Sequence, residues 1–415
     1  MLSRSSCLLA VNNYFYPRGG ADVLFLEQNR IFEQAGWQVV PFAMRHPDNL
    51  PSAWADYFTD EIEYGRAYGV RDRLVRAQRV VFSLQARRRI GALIDRVNPR
   101  LAHIHNIYHH LSPAILPVLK RRGVAAVMTI HDLKLLCPSR RMMVDDKPCA
   151  RCRGGAVYHS VLNRCIKGSY ALSSLAMLEH LVQQTLQLYQ SNIAFFIMPS
   201  RFLLETFVAW GWPRKQLVHI PNFVDVERFR ADAPIGRRFV YCGRLDKDKG
   251  VATLVRAAAR ARQPVSVIGS GPDELELKSL AASLGADVEF CGRLDGGELA
   301  AAIATARAVV LPSECYENAP LSILEAYASG RPVVGAAIGG VPELIRQDDT
   351  GYLFPSGDAE ALAAILSRLA AMPETKLAAI GASGRRWVEG EFNAALYRTR
   401  LLTLYERLST VGMPA

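Results

Sequence analysis

Long apolar runs are missing from this sequence. No stretch of 18 or more apolar residues occurs, so we predict no membrane-spanning helix. After Arg4 comes only the short run CLLAV, which is too short for a secretory leader and is better interpreted as a first β-strand. Without such a leader, the expectation is a reduced, cytoplasmic protein.

Strong compositional bias is missing as well. Of the 415 residues, 50% are hydrophobic, 21% are charged and 9% are aromatic, which excludes disordered and collagen-like chains. A chain of this length can bury a large core and is expected to form two or three domains. The sequence therefore predicts a globular protein of ordinary composition.

Two common site signatures are also absent. GSGPDE (269–274) begins like a dinucleotide-binding fingerprint, but Glu274 stands where that fingerprint needs a small residue. This argues against a nucleotide-dependent dehydrogenase. No Asp-x-Asp follows an apolar strand, because Asp246 and Asp248 lie inside a basic loop where they would be poor metal ligands. The sequence therefore predicts no catalytic metal.

Positive charge is in excess, and the excess is local. Lys and Arg total 50 against 39 Asp and Glu, and the ten Arg and two Asp of residues 66–100 give +8 of the net +11. This basic block could face nucleic acid or an anionic membrane, or it could be a solvated helix face. In a helix, one apolar face would be edged by arginine: Leu74, Val81, Leu84 and Ile90, with Arg73, Arg76, Arg87 and Arg88. Nothing looks like a base-reading module, so no nucleic-acid partner is expected.

Short β-rich runs alternate with longer helical patterns along the chain. This alternation predicts parallel sheets covered by helices on both faces. The pattern restarts after 211–232, which we interpret as an interdomain connection. We predict an α/β protein with two Rossmann-like, doubly wound domains, 1–215 and 216–390, and a helix in 391–415 that packs back on the N-terminal domain. Ligands on such sheets bind beyond the carboxyl ends of the strands, so we expect the active site in the cleft between the domains.

Cations gather after the first strand of the second domain. GRLDKDKG (243–250) places Arg244, Lys247 and Lys249 at the start of a helix, where the helix dipole disfavours positive charge. A bound anion such as a diphosphate would account for them, and the flanking glycines open the backbone to it. The alternative is a surface turn that happens to be basic.

Two carboxylates follow a later strand of the same domain. In PSECYENAPLSILEAY (312–327), Glu317 lies in a loop, and Glu325 lies in a helix that Pro320 helps to start. Both can face one cleft, where carboxylates suit hydrogen bonds to sugar or ribose hydroxyls, although Glu317 could instead cap the helix. The helix start could also hold phosphate oxygens, in the segment Asn318, Ala319, Pro320 and Leu321.

Glycines and histidines follow the strands of the first domain. Gly19 and Gly20 start a helix and allow a close backbone approach, although a tight turn would explain them too. His131 and Asp132 directly follow the run VAAVMTI, where a parallel sheet presents its ligand site. Five of the nine histidines lie in 103–131, but their spacing matches no common closed zinc set.

The motifs together resemble family 4 of the retaining glycosyltransferases, of the bacterial polysaccharide-biosynthesis type. GRLDKDKG comes first, then Glu317-x7-Glu325 with ILEAYASGRPVV, then GGVPELI and GYLF, while IPNFVD resembles the family's domain junction. The resemblance covers nearly the whole chain. It implies the GT-B fold, with two domains facing across a cleft, and a nucleotide-sugar donor held mainly by the second domain.

The resemblance also implies roles by position in the second domain. Arg244 and Lys249 match the pair that binds the diphosphate. Glu325 matches the Glu that binds the ribose, and Glu317 matches the Glu that contacts donor sugar hydroxyls. In such enzymes the leaving phosphate itself takes the proton of the acceptor, and no bound metal is needed.

In the first domain, the resemblance covers the glycine turn and the histidines. Gly19 and Gly20 match a loop that touches the donor phosphate. His131 matches the active-site His that contacts the donor sugar. By the same resemblance, three further residues are expected to face the cleft: His105, Asn106 and Asp132.

The implied activity is sugar transfer to a glycan or lipid-linked acceptor in cell-envelope polysaccharide synthesis. A lipid-linked acceptor would make peripheral binding to the inner face of the plasma membrane useful. An epimerase or phosphorylase with the same fold is the alternative, and a basic nucleic-acid-binding protein is a weaker one. A lysine context for pyridoxal phosphate is not obvious, and the Glu-x7-Glu set favours transfer.

Four of the eight cysteines depart from the generic family pattern. They are spaced Cys137-x11-Cys149-x2-Cys152-x12-Cys165 in the loop after His131. A Cys-x2-Cys pair with two outlying cysteines predicts a structural, tetrahedral zinc site. Polar neighbours argue against a buried apolar role, and free thiols or a redox pair are the alternatives.

Overall fold

The computed structural model describes residues 7–61, 70–145 and 147–410. The strands are, in chain order, β1 (Cys7–Val11), β2 (Gln38–Phe42), β3 (Leu101–Ile104), β4 (Ala125–Thr129), β5 (Met143–Val144), β6 (Lys147–Pro148), β7 (Phe195–Met198), β8 (Leu217–His219), β9 (Phe239–Cys242), β10 (Val265–Ile268), β11 (Val288–Gly292), β12 (Val309–Leu311), β13 (Val333–Ala336) and β14 (Gly351–Phe354).

Helices separate most of these strands. They are α1 (Gly20–Gln34), α2 (Val70–Val81), α3 (Leu84–Val97), α4 (Leu116–Arg121), α5 (His159–Leu162), α6 (Tyr170–Thr185), α7 (Arg201–Ala209), α8 (Val251–Ala261), α9 (Glu274–Leu284), α10 (Gly296–Ala304), α11 (Leu321–Ala328), α12 (Ala359–Ala371), α13 (Glu374–Glu391) and α14 (Ala394–Thr410).

Two parallel, six-stranded sheets form the core of the protein. The first has the order β2-β1-β3-β4-β7-β8, and the second has the order β11-β10-β9-β12-β13-β14. Most of their strands are apolar and buried, as expected for parallel sheets that carry helices on both faces. The predicted α/β class with two Rossmann-like, doubly wound sheets is confirmed. β5 and β6 form a separate antiparallel pair.

Neighbouring strands bring their carboxyl ends together. In the first sheet, Val11 of β1 pairs with Ile104 of β3, and Ile104 pairs with Met128 of β4. The loops after these three strands therefore leave one edge of the sheet side by side. In the second sheet β9, β12 and β13 are consecutive, so the loops that follow them are neighbours too.

The chain divides into two compact units. The first comprises Met1–Pro199, Leu203–Ile220 and Arg398–Ala415, and the second comprises Ser200–Phe202 and Pro221–Tyr397. The sequence placed the division between residues 215 and 216. In the structure β8 pairs with β7 and completes the first sheet, so the division falls after Ile220.

The C-terminal region consists of two helices in succession, α13 and α14. The chain leaves the helical path between them, and Asn393 Oδ1 caps the second by accepting from Leu396 N over 2.8 Å. From Arg398 onward the chain belongs to the first unit. There Tyr405 packs against the rings of Phe32 and Trp37.

The basic block does not form one continuous helix. Ser83 is fully buried and caps α3 by accepting from Ala86 N over 3.2 Å, so one helix ends before it and a second begins after it. Because Ile90 is fully buried while Leu84 is 48% exposed, the predicted shared apolar face is wrong. Arg66 and the side chains of Arg73 and Leu74 lie outside the described residues. Among the helices that are described, none has the length and apolarity needed to cross a membrane.

Candidate active site

A close backbone contact joins the loops after β9 and β12. Residues Lys247–Lys249 form a 3-10 turn, and Gly250 leads into α8 with a φ of 66°. A Cβ at Gly250 would stand 1.9 Å from the carbonyl oxygen of Pro312, so only glycine fits there. The basic turn is thereby held against the loop that carries Glu317.

Lys249 and Glu317 form an ion pair with little exposure to solvent. Lys249 Nζ and Ser313 Oγ each donate to Glu317 Oε1 over 2.6 Å. Burial would raise the pKa of Glu317, but the charge of Lys249 outweighs burial and holds that pKa below its usual value. Burial would lower the pKa of Lys249, but Glu317 outweighs burial there and raises it. Both groups therefore stay charged at neutral pH.

Arg244 is an exposed cation that lies just before the same turn. Its side chain is 59% exposed, and Nη2 lies 2.7 Å from Asp246 Oδ2. Its positive charge acts on both Lys249 and Glu317, so the three groups share one electrostatic neighbourhood. Because exposed ion pairs contribute little free energy, the guanidinium can exchange Asp246 for a ligand anion.

The loop after β13 supports the backbone of Glu317. Gly340 N donates to Glu317 O over 2.7 Å. A Cβ at Gly340 would stand 1.9 Å from Asn318 O, so this approach also requires glycine. The segment GGVPELI thus helps to place the loop that carries the carboxylate.

The segment before α11 is fastened by two amide side chains. Asn318 Oδ1 accepts from Ser200 Oγ over 2.7 Å, and Ala319 O accepts from Asn222 Nδ2 over 2.8 Å. Pro320 was expected in the first helical turn, but its ψ of 126° makes it the N-cap, and Leu321 is the first helical residue. The first amides of α11 therefore start where the helix dipole favours an anion.

Glu325 is a half-buried carboxylate in α11. Burial raises its pKa to about 7, with Arg228 acting in the opposite direction. Burial and then the charge of Glu325 raise the pKa of the Cys242 thiol at the end of β9, so the two side chains are close. Glu325 can therefore change its charge near neutral pH.

In the first unit, Asn12 connects the glycine turn to Asn106. Asn12 Nδ2 donates to Asp22 Oδ1 over 2.8 Å, and Asn12 Oδ1 accepts from Asn106 N over 3.1 Å. Gly19 caps α1, and Gly20 is its first residue. A Cβ at Gly19 would meet nothing nearer than Asp22 at 4.0 Å among the described residues, so there is open space beside this turn.

A row of three stacked histidines ends at His131. The ring centroids of His103 and His105 lie 4.8 Å apart, and those of His105 and His131 lie 5.0 Å apart. His105 Nδ1 and His131 Nε2 share a hydrogen bond of 2.9 Å. At the other end, His103 bonds Tyr405 Oη at 2.6 Å and Thr129 Oγ1 at 2.7 Å. The row fixes the orientation of the His131 ring from inside the sheet.

The three histidines are neutral at physiological pH. Burial lowers the pKa of His131 to about 4. Burial and then the charge of His131 lower the pKa of His103 to about 3. Burial also takes the pKa of His105 well below its usual value. Since a neutral imidazole offers one donor and one acceptor, His131 can bond a sugar hydroxyl but supplies no positive charge.

Asp132 belongs to the turn that follows His131. Its Oδ1 accepts from Lys134 N over 2.9 Å, and burial raises its pKa. Lys134 Nζ donates to Glu179 Oε2 over 2.8 Å and to Pro138 O over 3.0 Å. The side chains of Lys134 and Glu179 are 4% and 0% exposed, so a buried ion pair fastens this turn to α6.

The four spaced cysteines come together in the first unit. All four line one small cavity: Cys137, Cys149, Cys152 and Cys165. None of the described cysteines forms a disulfide. No three His, Cys, Asp or Glu side chains of residues 7–61, 70–145 and 147–410 are already arranged to hold a metal ion. Zinc at this cluster stays a prediction.

Three residues that hold the site were not predicted from the sequence: Asn12, Ser313 and Tyr405. Asn12 directly follows β1, and Ser313 lies just beyond β12, so a polar side chain near the carboxyl end of a buried strand was an available signal. Tyr405 lies 302 residues from His103 in the sequence, and no local pattern connects the two.

The fold is that of the GT-B class, as predicted. Sucrose-phosphate synthase from Thermosynechococcus elongatus superposes with a TM-score of 0.73 at 22% identity, covering 98% of this chain and 100% of that one. Anabaena HepE in complex with UDP and glucose superposes with a TM-score of 0.69 at 16% identity, covering 97% and 100%. At these identities, the likeness establishes the architecture.

The family follows from the sequence. The pattern of Glycosyltransferase Family 4 matches residues 18–228, about half of the chain, and that of Glycosyl transferases group 1 matches residues 236–372. The chain belongs to glycosyltransferase family 4. The amylovoran biosynthesis glycosyltransferase AmsK of Erwinia amylovora is 32% identical over 230 residues, which cover 51% of this chain and 55% of that protein. The chain spans about half the length of curated relatives that it matches.

Proposed function

We propose that this protein is a retaining glycosyltransferase that moves a sugar from a nucleoside-diphosphate donor to a glycan or lipid-linked acceptor in cell-envelope polysaccharide synthesis. The observation that carries the proposal is the ion pair of Lys249 and Glu317, with Arg244 beside it, at neighbouring strand ends. The name of the Erwinia relative supports polysaccharide synthesis, and the UDP and glucose bound to HepE support a nucleotide donor.

The proposed donor site stabilises charge as the sugar–phosphate bond breaks. Negative charge develops on the diphosphate, where Arg244, Lys249 and the first amides of α11 would stabilise it. The low exposure of Lys249, 22%, strengthens this interaction because less water screens it. Glu325 would accept hydrogen bonds from the ribose hydroxyls when it is ionised.

Glu317 and His131 would handle the donor sugar. Both contacts made by the Glu317 carboxylate use Oε1, so Oε2 is the atom that would accept from a sugar hydroxyl. His131, held by His105, would bond a second hydroxyl as a neutral imidazole. The acceptor attacks from the face that the diphosphate leaves, and the leaving phosphate takes its proton. No metal ion takes part in this scheme.

A screen of nucleotide sugars tests the proposal. We expect one or a few of them to raise the melting temperature and to be slowly hydrolysed, and Lys249→Ala to abolish both effects. The anomeric configuration of the product, read by NMR, should equal that of the donor. If no nucleotide sugar stabilises the protein, the proposed function is wrong. Interconversion of donors without transfer would instead identify an epimerase.

We further propose that the protein binds peripherally to the cytoplasmic face of an anionic membrane. The supporting feature is the outward face of α6, where Leu178 and Leu181 are 50% and 38% exposed. The acid of this helix, Glu179, is buried against Lys134 and leaves that face uncharged. An apolar helix face in contact with water is a feature of interfacial helices.

The segment before α6 is positively charged. Arg153, Arg164 and Lys167 are exposed, and residues 147–185 contain five Lys or Arg against the single acid Glu179. The basic helix α2 packs against α6. Each basic residue near an anionic bilayer contributes about 1 kcal/mol, so the combination suits a surface of acidic lipids that carries the acceptor.

A further inference from the structure

The segment between β4 and α6 has little regular structure to stabilise it. It contains the two-residue strands β5 and β6, a 3-10 turn at Arg153–Gly155 and the short helix α5. Its backbone hydrogen bonds mostly close local turns, such as those from Arg140 N to Cys137 O and from Cys165 N to Ser160 O. Connections of this length with so little regular structure are uncommon in compact domains and usually have a function. The segment nevertheless buries Cys137 and Cys152, each 8% exposed, together with Val157 at 2%.

The cysteines of this segment line a single cavity. Cys137, Cys149, Cys152 and Cys165 all line a cavity of about 10 Å³, which has room for one atom of the size of a water oxygen. They come from a turn after β4, from the two ends of a Cys-x2-Cys turn, and from the turn that follows α5. The need to fill so small a space does not by itself explain why four thiols line it.

The Cys-x2-Cys turn has a backbone that suits two ligands of one ion. Cys149 N donates to Met142 O over 2.8 Å, which anchors the first cysteine beside β5. Arg153 N donates to Ala150 O over 3.0 Å and closes the turn around Cys152. Short Cys-x2-Cys turns with two further cysteines are the usual framework of tetrahedral zinc sites.

We propose that Cys137, Cys149, Cys152 and Cys165 bind one zinc ion as four thiolates, and that this ion orders the segment between β4 and α6. The thiols surround the cavity without forming a ligand group, since no three candidate ligands in the described part of the chain are arranged to hold a metal. Rotation about a single χ1 torsion moves each sulfur between staggered positions, so binding draws the sulfurs inward and releases the thiol protons to solvent.

The local charge fits this ligand set. Zinc with four thiolates carries two negative charges. Residues 137–165 contain six Arg or Lys and two Asp, a net charge of +4. Arg141 and Arg151 act electrostatically on Cys165, which places positive charge beside the cluster. A bound zinc–thiolate group would therefore be neutralised by its own surroundings.

The ion would also stabilise the turn that follows His131. Cys137 N donates to Leu133 O over 2.8 Å, so Cys137 ends the turn that begins next to Asp132. Lys134 ties the same turn to α6 through Glu179. The zinc is thus a structural ion that braces this part of the first unit, independently of whether the protein transfers sugars.

Metal analysis of the full-length chain, purified without chelators, tests the proposal. We expect about one zinc per chain, and a loss of most of that zinc in Cys149→Ser and Cys152→Ser. The matched control is Cys291→Ser, because Cys291 lies in β11 of the other unit and should leave the zinc content unchanged. Stoichiometric iron, a disulfide between cysteines of the cluster, or no metal at all would overturn the assignment.

A second measurement does not depend on the folding of the variants. The wild-type protein is treated with a thiol-specific mercurial in the presence of a zinc indicator. We expect release of zinc in step with modification of four thiols, followed by faster proteolysis within residues 137–165. Cobalt in place of zinc should give the strong thiolate-to-metal absorption of a tetrahedral site. Zinc release without any reaction of these cysteines, or an octahedral cobalt spectrum, would contradict the proposal.

Discussion

Lys249 Nζ donates to Glu317 Oε1 over 2.6 Å, and the pair links the loops that follow β9 and β12. Removal of one partner leaves the other charge buried without compensation, which costs about 3–5 kcal/mol in fully buried pairs. Here the side chains are 22% and 13% exposed, so a smaller loss is expected. This pair therefore connects the stability of the second unit to its proposed donor chemistry.

We expect Lys249→Ala to lower both the melting temperature and the turnover, the latter by about 100-fold or more, because one donor to the leaving diphosphate is lost. Adding Glu317→Gln should restore part of the stability, since the uncompensated charge is removed, but it should not restore turnover. Arg244→Ala is the matched variant: its side chain is 59% exposed, so stability should hardly change while turnover falls. If turnover is unchanged in both Lys249→Ala and Arg244→Ala, the proposal that these two residues bind the diphosphate is wrong.

We expect Glu325 to make nucleotide binding depend on pH. Its pKa in the folded protein, about 7, lies above the usual value, so its contribution to stability is present at low pH and is lost as the pH rises through about 7. Binding of ribose hydroxyls needs the ionised form and has the opposite dependence. We expect the affinity for a nucleotide sugar to fall by up to about tenfold per pH unit below about pH 7.

Calorimetric titration of wild type and Glu325→Gln at several pH values checks this dependence. The Gln variant should bind more weakly above neutral pH and should show a flat profile. A nucleotide sugar is the suitable probe because its diphosphate does not titrate in this range. If Glu325→Gln keeps the slope of the wild type, another group titrates and the ribose assignment is wrong.

His131 is expected to act on turnover more than on binding. His131→Ala should lower kcat, whereas the dissociation constant for the donor should change little, because the diphosphate and the ribose would be held by the second unit. His105→Phe would remove the 2.9 Å hydrogen bond that orients the His131 ring and should lower kcat to a smaller extent. His219→Ala, in the edge strand β8, is the control. Full activity of His131→Ala would show that the residue is structural.

Membrane binding is tested by co-sedimentation with liposomes. Binding should rise with the fraction of anionic lipid, fall with salt, and drop in the double variants Leu178→Ser/Leu181→Ser and Arg164→Gln/Lys167→Gln. Leu275→Ser is the matched control, since Leu275 is 82% exposed in α9 of the other unit.

The arginines of α3 are less suitable for the membrane test. Arg89 donates to the backbone carbonyls of Asp56 and Phe58, so its removal would disturb the fold. If the protein fails to bind anionic liposomes even at low salt, the face of α6 serves another purpose and the membrane proposal is wrong.

Much of the fold could be predicted because its signals are local. The alternation of short β-rich runs with longer helical patterns predicted both parallel sheets, but β8 and the short pair β5 and β6 contributed no such signal. These are two or three residues long, too short to establish a period. The break between α2 and α3 was missed for a related reason. A single Ser in an Arg-rich pattern is a weak signal for a helix boundary. In the folded protein Ser83 is buried, its N–H donates to Ser112 Oγ, and its own hydroxyl caps α3.

The residues of the candidate site could be predicted from local signals, whereas their contacts could not. The sequence by itself determined which residues lie near strand ends. His131 closely follows β4, whereas Lys249 and Glu317 lie in the loops after β9 and β12. Only the tertiary structure decided which of them touch. Lys249 and Glu317 are 68 positions apart in the sequence, and His105 and His131 are 26 apart; the order of the strands brings their separate loops to one edge of a sheet. Contacts of that kind depend on the packing of whole sheets, and the spacing of residues along the chain contains no record of it.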